Sequence, residues 1–365
     1  MRTCLFDDMI GGHHGSYLFG LSRAAIQASQ NLVIASPLEP DTNEADWFRV
    51  PVGERSAVLR GRRSLRAVTS TCRDQGVDLF VDLNLDKNIW LIPRSLEQIN
   101  RRFHVLHQTH QYRFEGRTAS GRIRTLALRT ILRRLADRGA QVVVHTPRAF
   151  ATLQAILPRE SIVKLGYPIR PVMAADESDS GETEPSRPSV LFVGQARHEK
   201  GLSDLLEAAS RLPEAAIIRI VGQQRPDVRQ ELSSRFTAVP VEWIDRFVSE
   251  AELENQYRAA SLIATPYRTS FGRDGGASGV LLETLAHGKP ALTTETLRDQ
   301  LPAEYGGAVV VPAEDITAIS EGLSRALHTL PAFTKASSKE GPAFIGRNHT
   351  FESYVARLAG ETSVK

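Results

Sequence analysis

Two positively charged side chains flank a glycine turn at residues 193–201, directly after a short apolar run. Gly194 has no Cβ, so a ligand can approach the backbone closely there. Arg197 and Lys200 stand at the start of a helical pattern, where positive charge opposes the helix macrodipole. An anion bound between the two cations would remove that conflict, and a diphosphate suits the spacing. The alternative is a turn whose charges are solvated.

A second glycine-rich segment, residues 275–290, leads into another helical pattern. Ser278, Gly279 and Val280 stand at its start, where small residues leave the free N–H groups of the first turn open to a phosphate. Glu283 follows about one turn later, and its carboxylate could accept hydrogen bonds from ribose hydroxyls. The alternative is a flexible loop before a capped helix with an exposed glutamate, because a glycine loop by itself is a weak signal.

The first half of the chain has weaker candidates at the ends of two apolar runs. Gly11 and Gly12 form a turn after the first run, and their spacing is not that of G-x-G-x-x-G, which disfavours a dinucleotide cofactor. His13 and His14 have no supporting cysteines or carboxylates, so we expect no metal site. His110 follows a later run and could contact a sugar or share a proton, with a structural histidine as the alternative.

Short apolar runs alternate with helical periodicity along the chain, which predicts parallel sheets covered by helices. The predicted fold is α/β, with two Rossmann-like doubly wound domains facing a cleft where a ligand binds. The predicted strands are residues 3–6, 31–36, 77–83, 103–107, 141–146 and 162–165 in the first half, and 189–193, 217–221, 241–244, 262–265, 290–293 and 308–311 in the second.

A polar segment rich in Asp, Glu, Ser, Thr, Gly and Pro divides the two series of strands. Such a segment cannot bury enough apolar surface to fold, so it is predicted to be a linker. The predicted organisation is a first domain over residues 1–173, the linker over 174–188, a second domain over 189–345, and a C-terminal helix within 346–365 that packs back on the first domain.

Composition narrows the class of protein. The chain has 365 residues, a net charge of +3 and two cysteines, Cys4 and Cys72, too few for a disulfide framework, which favours a reducing compartment. Asp7 and Asp8 interrupt any secretory leader pattern, and no apolar run approaches the roughly 20 residues of a membrane span. We therefore expect a cytoplasmic protein. Aromatic residues are not interleaved with the arginines, so we expect no nucleic-acid partner.

Taken together, these segments resemble the retaining glycosyltransferase family four, which has GT-B architecture. Gly194, Arg197, Lys200 and Gly201 fit its phosphate-binding pattern G-x-x-R-x-x-K-G. The run from Ser278 to Pro290 is similar to its late motif, the Gly-Gly turn is similar to its turn near the donor phosphates, and His110 falls on its strand-end histidine. A turn at residues 245–247 is similar to the segment that lies against the donor base.

The resemblance implies transfer of a sugar from a nucleotide diphosphate sugar of UDP or GDP type, with retention of configuration, in polysaccharide biosynthesis. The acceptor would be a glycan, a lipid-linked glycan or a small molecule bound by the first domain, while the second domain binds the donor. No metal ion or other cofactor is implied. The implied catalytic residues are His110, Arg197, Lys200 and Glu283, and the implied donor-binding residues are Gly11, Gly12, Gly194, Phe247, Ser278, Gly279 and Val280.

Two further features bear on this resemblance. The arginine-rich stretch between Arg122 and Arg138 has a Leu/Ile face and a basic face. The resemblance implies contact with an anionic membrane surface at the inner membrane face, and the alternative is a helix that buries its apolar face and solvates its basic one. The family commonly has two glutamates with seven residues between them; here the first falls on Gly275, and Asp274 is a candidate replacement. A nucleotide-sugar epimerase of the same architecture and a non-catalytic GT-B binding protein remain alternatives.

Overall fold

A computed structural model describes residues 2–8, 14–28, 31–38, 46–50, 57–91, 93–109, 119–170, 172, 187–212, 216–273 and 275–361. The chain divides into two compact units. The first unit contains residues Met1–Arg170, Arg273–Ala277 and Asn348–Lys365, and the second contains Pro171–Gly272 and Ser278–Arg347.

The first unit is built on a parallel sheet of seven strands in the order β3-β2-β1-β4-β5-β6-β7. Its strands are β1 (Arg2–Phe6), β2 (Asn31–Ser36), β3 (Asp46–Arg49), β4 (Leu79–Asp82), β5 (His104–Gln108), β6 (Gln141–Val144) and β7 (Ile162–Lys164). Its helices are α1 (His14–Gln27), α2 (Ala57–Asp74), α3 (Leu85–Leu91), α4 (Pro93–Asn100), α5 (Ala119–Ala136), α6 (Pro147–Gln154) and α14 (Phe351–Glu361).

Both faces of the first sheet are covered. Cys4 and Phe6 of β1 pack into one apolar core, whereas Leu5 between them packs into another on the opposite face. Successive side chains of a strand point to opposite faces, so a strand buried on both faces is apolar throughout. The second of these cores includes Phe351 and Tyr354 of α14, which pack edge-on against Tyr17 of α1.

The second unit repeats this architecture with six parallel strands in the order β10-β9-β8-β11-β12-β13. Its strands are β8 (Ser189–Val193), β9 (Ile217–Val221), β10 (Val241–Ile244), β11 (Leu262–Thr265), β12 (Ala291–Thr294) and β13 (Ala308–Val311). Its helices are α7 (Leu202–Ala209), α8 (Pro226–Arg235), α9 (Glu250–Ala259), α10 (Thr269–Arg273), α11 (Gly279–Ala286), α12 (Ile316–His328) and α13 (Leu330–Asn348). The last residues of α10 and α13 are grouped with the first unit.

The predicted α/β class with two doubly wound sheets is confirmed, and each of the predicted strands coincides with a strand of the structure to within two residues at either end. Two elements were not predicted. The edge strand β3 has exposed Asp46 and half-buried Trp47 and Phe48, so its sequence lacks the apolar run of a central strand. Helix α13 contains Pro342 in its interior, a residue that ordinarily ends a helix.

Across the described residues, no helix combines the length and the apolar character that a membrane span requires. The predicted linker, residues 174–188, lies almost entirely outside the described residues.

Helix α13 lies unusually close to the backbone at the end of α11. A Cβ built on Gly341 would lie 2.3 Å from the carbonyl oxygen of Leu285. Ser337 donates a hydrogen bond of 2.8 Å to the carbonyl oxygen of Gly288, and a Cβ on Gly288 would lie 2.8 Å from Cα of Ser338. Small residues in α13 therefore allow it to pack directly on α11 and on the turn that follows it.

The close contact at Gly341 predicts a difference between two glycines of the same helix. We expect Gly341→Ala to destabilise the protein by about 1–3 kcal/mol, since the added methyl group must displace either helix backbone. A Cβ on Gly346, also in α13, would meet no neighbouring atom within 4 Å. Gly346→Ala should therefore be neutral or stabilising by up to about 1 kcal/mol through helix propensity. Urea unfolding of both variants measures the difference, and equal effects would contradict the packing described.

Candidate functional site

The second sheet has its topological switch point between β8 and β11. From this point the strand order continues through β9 and β10 on one side and through β12 and β13 on the other. Ligands of open α/β sheets bind outside the carboxyl ends of the strands at such a point. Gly194 directly follows β8, and Pro266 and Tyr267 directly follow β11, so these residues lie at the expected position.

The turn after β8 is built around Gly194. This residue has a φ of 98°, a left-handed conformation that favours glycine, and its N–H donates a 2.7 Å hydrogen bond to the carbonyl oxygen of Val221. A Cβ on Gly194 would lie 2.6 Å from Nζ of Lys200. The lysine ammonium therefore lies directly over the glycine, and any larger residue at position 194 would displace it.

Lys200 is held in place by a short 3-10 helix, His198–Lys200, and by Gly201 behind it. Gly201 has a φ of 66°, and a Cβ there would lie 2.0 Å from the carbonyl oxygen of Pro266, so the turn is packed against the end of β11. The ammonium lies 5.8 Å from the centroid of the Tyr267 ring and 3.5 Å from the carbonyl oxygen of Val193.

The electrostatic state of Lys200 is unusual. Burial, and secondly the positive charge of Arg197, lower the pKa of Lys200 from 10.5 to about 8, against the opposing effects of Glu199 and Glu283. Arg197 itself is 44% exposed and forms an ion pair of 3.3 Å with Glu199. The positive charges of Arg197 and Lys200 therefore act on each other, and a bound anion would stabilise the charged form of the lysine.

The start of α11 forms the second part of the site. Ser278 is the N-cap, and its hydroxyl accepts a 3.2 Å hydrogen bond from the N–H of Leu281. The N–H of Ser278 donates a hydrogen bond of 2.7 Å to Oε1 of Gln300, and this bond fixes the turn before the helix. Gly279 and Val280 follow at the first turn, and a Cβ on Gly279 would meet nothing within 4 Å. The first-turn N–H groups are therefore unobstructed at this glycine.

Tyr267 connects the two parts. Its ring is buried, faces Lys200 and packs edge-on against Phe271 at 4.6 Å. Burial raises the pKa of Tyr267 to about 12, an effect that its hydrogen bond with Ser278 reduces. Its carbonyl oxygen accepts a 2.5 Å hydrogen bond from the Thr294 hydroxyl, so β12 also fixes its position.

Glu283 lies on α11 with one carboxylate oxygen bound to a buried tyrosine. Oε2 of Glu283 accepts a 2.7 Å hydrogen bond from the Tyr257 hydroxyl. Burial raises the pKa of Glu283, while the Tyr257 hydrogen bond and the charge of Lys200 act in the opposite direction. The Tyr257 ring stacks on His287 at 4.6 Å, and Nδ1 of His287 lies 2.8 Å from the carbonyl oxygen of Glu283. The glutamate is thus restrained while its charge lies near Lys200.

Phe247 follows β10 and is 82% exposed, so its ring offers an apolar face at the surface of the second unit. Asp245 before it is fixed by a 2.7 Å hydrogen bond from the N–H of Gln224 and an ion pair of 2.8 Å with Arg229.

Most of the second unit is similar to a known protein family. Residues 187–329 match the model of the family described as Glycosyl transferases group 1. All the site residues described above lie within this matched segment. A search of curated protein sequences finds no significant match.

Solved structures share the fold over nearly the whole chain. Sucrose-phosphate synthase (tll1590) from Thermosynechococcus elongatus is 17% identical over 99% of this chain and 98% of that chain, with a TM-score of 0.75. HepE (Alr3699) of Anabaena in complex with UDP and glucose is 13% identical over 100% of both chains, with a TM-score of 0.74. WaaG, a glycosyltransferase involved in lipopolysaccharide biosynthesis, is 16% identical over 99% of both chains, with a TM-score of 0.68. The fold is therefore that of the GT-B glycosyltransferases.

The structure brings together only part of the predicted site. Lys200 lies over Gly194 at the switch point and faces Tyr267, which is hydrogen-bonded with Ser278 at the start of α11. The charges of Arg197 and Glu283 both act on Lys200. Gly11, Gly12, His110 and Asp274 lie outside the described residues. Gly275, grouped with the first unit, has a φ of 64°. Within the described part of the chain, no three His, Cys, Asp or Glu side chains are grouped so as to hold a metal ion.

Sequence reasoning missed three residues of the site: Tyr257, Tyr267 and Gln224. Tyr267 had a usable signal, because it directly follows a predicted strand and the Pro266 that ends it. Tyr257 lies in the middle of α9 and contacts Glu283 only through the folded arrangement of α9 and α11. Gln224 follows β9 in a turn whose chemistry depends on tertiary contacts.

The lowered pKa predicts that Lys200 destabilises the ligand-free protein. Below about pH 8 the buried ammonium is charged in the folded state, and its desolvation cost is fully present. As the pH rises from about 8 towards 10.5, Lys200 loses its proton in the folded state before it does so in the unfolded state. The free-energy cost of the desolvated charge therefore declines, and the free energy of unfolding rises with pH over this range. We expect Lys200→Met to raise the unfolding free energy by about 1–3 kcal/mol near pH 7, with a smaller gain near pH 9.5.

Thermal and urea unfolding of the ligand-free variant measure this effect. Lys335→Met, at an exposed position of α13, is the matched control and should change stability little at any pH. The same Lys200→Met variant should lose binding of inorganic pyrophosphate in calorimetric titrations. A variant less stable than the wild type near neutral pH would contradict the assignment of Lys200 as a desolvated cation.

Proposed function

We propose that this protein is a glycosyltransferase that takes its sugar from a nucleotide diphosphate donor, and that the switch-point site of the second unit binds the donor diphosphate. The observation that carries the proposal is the Lys200 ammonium, which lies partly desolvated over Gly194 and faces Tyr267, the tyrosine hydrogen-bonded with the N-cap Ser278 of α11. The group 1 match over the same residues supports it, and the structural similarity to the UDP complex of Anabaena HepE is consistent with it.

The chemistry follows from where charge develops. Cleavage of the bond between the sugar and the diphosphate leaves negative charge on the diphosphate, while the sugar becomes oxocarbenium-like. Arg197, Lys200 and the N–H groups of Gly279 and Val280 would stabilise the leaving group, because positioned donors bind the developing charge more strongly than the ground state. These groups would take the part that a divalent cation has in other transferases. We infer retention of configuration from the resemblance to family four.

The remaining donor contacts form part of the same proposal. Glu283, restrained by Tyr257, would accept hydrogen bonds from the ribose hydroxyls, and the exposed Phe247 would lie against the base. The donor is proposed to be a UDP-sugar or a GDP-sugar, so this base would be uracil or guanine. Gly11 and Gly12 are proposed to approach the donor phosphates. His110 is proposed to contact the sugar or the acceptor, and Asp274 to replace the family's first glutamate. The alternatives are less well supported, since the family match and the similar solved structures named above point to glycosyltransferases.

Helix α5 is the part of the first unit that suits an acceptor at a membrane surface. Ile123 and Leu126 lie one turn apart on this helix and are 72% and 67% exposed. Exposed Arg122, Arg124 and Arg129 lie on the same stretch of helix. An interfacial helix usually combines two features. Its apolar side chains enter the lipid interface, and neighbouring arginines bind anionic headgroups. We propose that this surface contacts an anionic membrane and that the acceptor is a glycan or a lipid-linked glycan.

The donor site predicts the effect of one conservative substitution. Glu283→Gln keeps the size of the side chain and an oxygen for the Tyr257 hydroxyl but removes the charge that would bind the ribose. We expect turnover of the nucleotide sugar to fall about 10- to 100-fold. Nucleotide release measures turnover, with the donor base first chosen by thermal shift with UDP and GDP. Glu231→Gln, at an exposed position of α8, is the matched control.

The same assay separates the alternatives. Incubation with donor alone should give slow release of the nucleotide if the protein is a transferase, and isomerised nucleotide sugar if it is an epimerase. Binding of UDP or GDP with no turnover of any donor sugar would favour a non-catalytic binding protein. If neither Glu283→Gln nor Lys200→Met altered donor binding or turnover, the location of the donor site would be wrong. The anomeric configuration of the product, measured by NMR, tests retention.

The α5 surface predicts a loss of membrane binding in a double variant. Replacing Ile123 and Leu126 together by serine removes the apolar contact, and we expect binding to vesicles that contain phosphatidylglycerol to fall about 10- to 100-fold. Co-sedimentation measures this change. Leu59→Ser, at another exposed leucine of the first unit, is the control. Equal binding of the wild type to purely zwitterionic vesicles, or unchanged binding of the double variant, would refute this part of the proposal.

A further inference from the structure

Gln224 is a buried polar side chain beside the glycine turn that carries Lys200. It lies in the turn after β9, next to exposed Gln223, and only 5% of its surface is accessible. Burying an amide is unfavourable unless its donors and its acceptor are hydrogen-bonded. The partners of this amide therefore show what the burial achieves.

The side-chain amide of Gln224 binds the backbone of both neighbouring turns. Its Nε2 donates to the carbonyl oxygen of Gly194 at 3.1 Å and to that of Gly222 at 2.6 Å. Its Oε1 accepts a hydrogen bond of 2.6 Å from the N–H of Ala196. Gly222 has a φ of 130°, and a Cβ there would lie 3.0 Å from Cα of Gly194, so the two turns are already in contact. The side-chain amide of Gln224 therefore links the Gly194 turn to the Gly222 turn through hydrogen bonds to both.

The backbone of Gln224 extends this connection to the turn that carries Phe247. The backbone N–H of Gln224 donates a hydrogen bond of 2.7 Å to Oδ1 of Asp245. The other oxygen of that carboxylate, Oδ2, accepts a hydrogen bond of 2.8 Å from Arg229. The hydrogen bond from the Gln224 N–H is the main cause that lowers the pKa of Asp245, and the bond from Arg229 adds to it, so the carboxylate stays ionised. One residue thus links the turn over which Lys200 lies to the turn before Phe247.

A glutamine suits this position because it presents two donors and an acceptor on one planar group. Two carbonyl oxygens and one N–H require that combination. A carboxylate would set negative oxygen against both carbonyls, and an apolar side chain would leave all three backbone groups without their partner. A protonated glutamic acid, in contrast, can donate through its hydroxyl and accept through its carbonyl oxygen.

We propose that Gln224 is a positioning residue of the donor site, which fixes the diphosphate turn at Gly194–Ala196 relative to the base turn at Asp245–Phe247. The proposal rests on the proposed function for the identity of the ligand. It does not place Gln224 in contact with the donor: the side chain acts through the backbone that it binds. Its loss should therefore weaken binding of an intact nucleoside diphosphate, which needs both turns.

The sharpest test is Gln224→Glu measured at two pH values. Burial and the two facing carbonyl oxygens should raise the pKa of the new glutamic acid, so that it is protonated at about pH 5.5 and ionised at about pH 8. We expect affinity for UDP or GDP, whichever binds the wild type, to fall about tenfold or more relative to wild type at the higher pH. Most of that loss should be recovered at the lower pH.

Gln223→Glu is the matched control, because it adds the same charge at the neighbouring exposed position. Its affinity relative to wild type should not show the same recovery at low pH. Comparison with the wild type at each pH removes the titration of Lys200 and of the ligand phosphate. A Gln224→Glu protein with wild-type affinity at both pH values, or with an equal loss at both, would overturn the proposal, provided that its thermal unfolding is cooperative.

A second measurement needs no ligand. Amide hydrogen exchange of Gln224→Ala should accelerate about tenfold or more at Ala196, whose N–H loses its acceptor, while α12 stays unchanged. If the wild type binds neither UDP nor GDP, the proposed function fails, and this exchange pattern alone decides the positioning role. Unchanged exchange at Ala196 would refute that role even if donor binding were established.

Discussion

The ammonium of Lys200, held over Gly194, is the contact on which the geometry of the second unit's site depends. It requires glycine at position 194, because a Cβ there would lie 2.6 Å from Nζ. It also requires the left-handed turn at Gly201, which in turn requires close approach to the carbonyl oxygen of Pro266 at the end of β11. Gly194, Gly201 and Pro266, in the segments that follow two neighbouring strands, are therefore linked by steric constraints around a single charge. That charge is partly desolvated, which is costly without an anion.

Several buried polar groups support this arrangement. Tyr267 faces the ammonium, Gln224 fastens the backbone on one side, and Gln300 holds the N–H of Ser278 on the other. Buried polar groups are stable only when they are fully hydrogen-bonded, so networks of this kind tend to fix one geometry. Helix α13 adds a backbone-to-backbone contact through Gly341 to the far end of α11. Helix α11 is thus held at both ends, by Gln300 before its first turn and by α13 at its last turn.

The sequence predicted the sheets well because both are parallel and buried on both faces. Strands such as β8 and β11 are short apolar runs, and their carboxyl ends meet at one edge whatever the details of the helices. For the same reason, the glycine turn at Gly194 could be assigned from the sequence alone to the carboxyl edge of the second sheet. The edge strand β3 and helix α13 were not predicted, because half-exposed residues and an internal proline give no periodic signal. Tyr257 and Gln224 depend on contacts between residues 26–30 positions apart, which local patterns do not reveal.

Gly275 occupies the position at which the resemblance to family four leads one to expect a glutamate. Gly275 adopts a φ of 64°, where other residues are strained by roughly 1–2 kcal/mol. Within the first unit, a Cβ on Gly275 would lie 3.1 Å from the Cβ of Ala149, and its carbonyl oxygen accepts a 2.7 Å hydrogen bond from Thr146. A glutamate at position 275 would oppose both the backbone conformation and this packing. A residue of this loop that contacts a donor sugar would therefore have to project from another position.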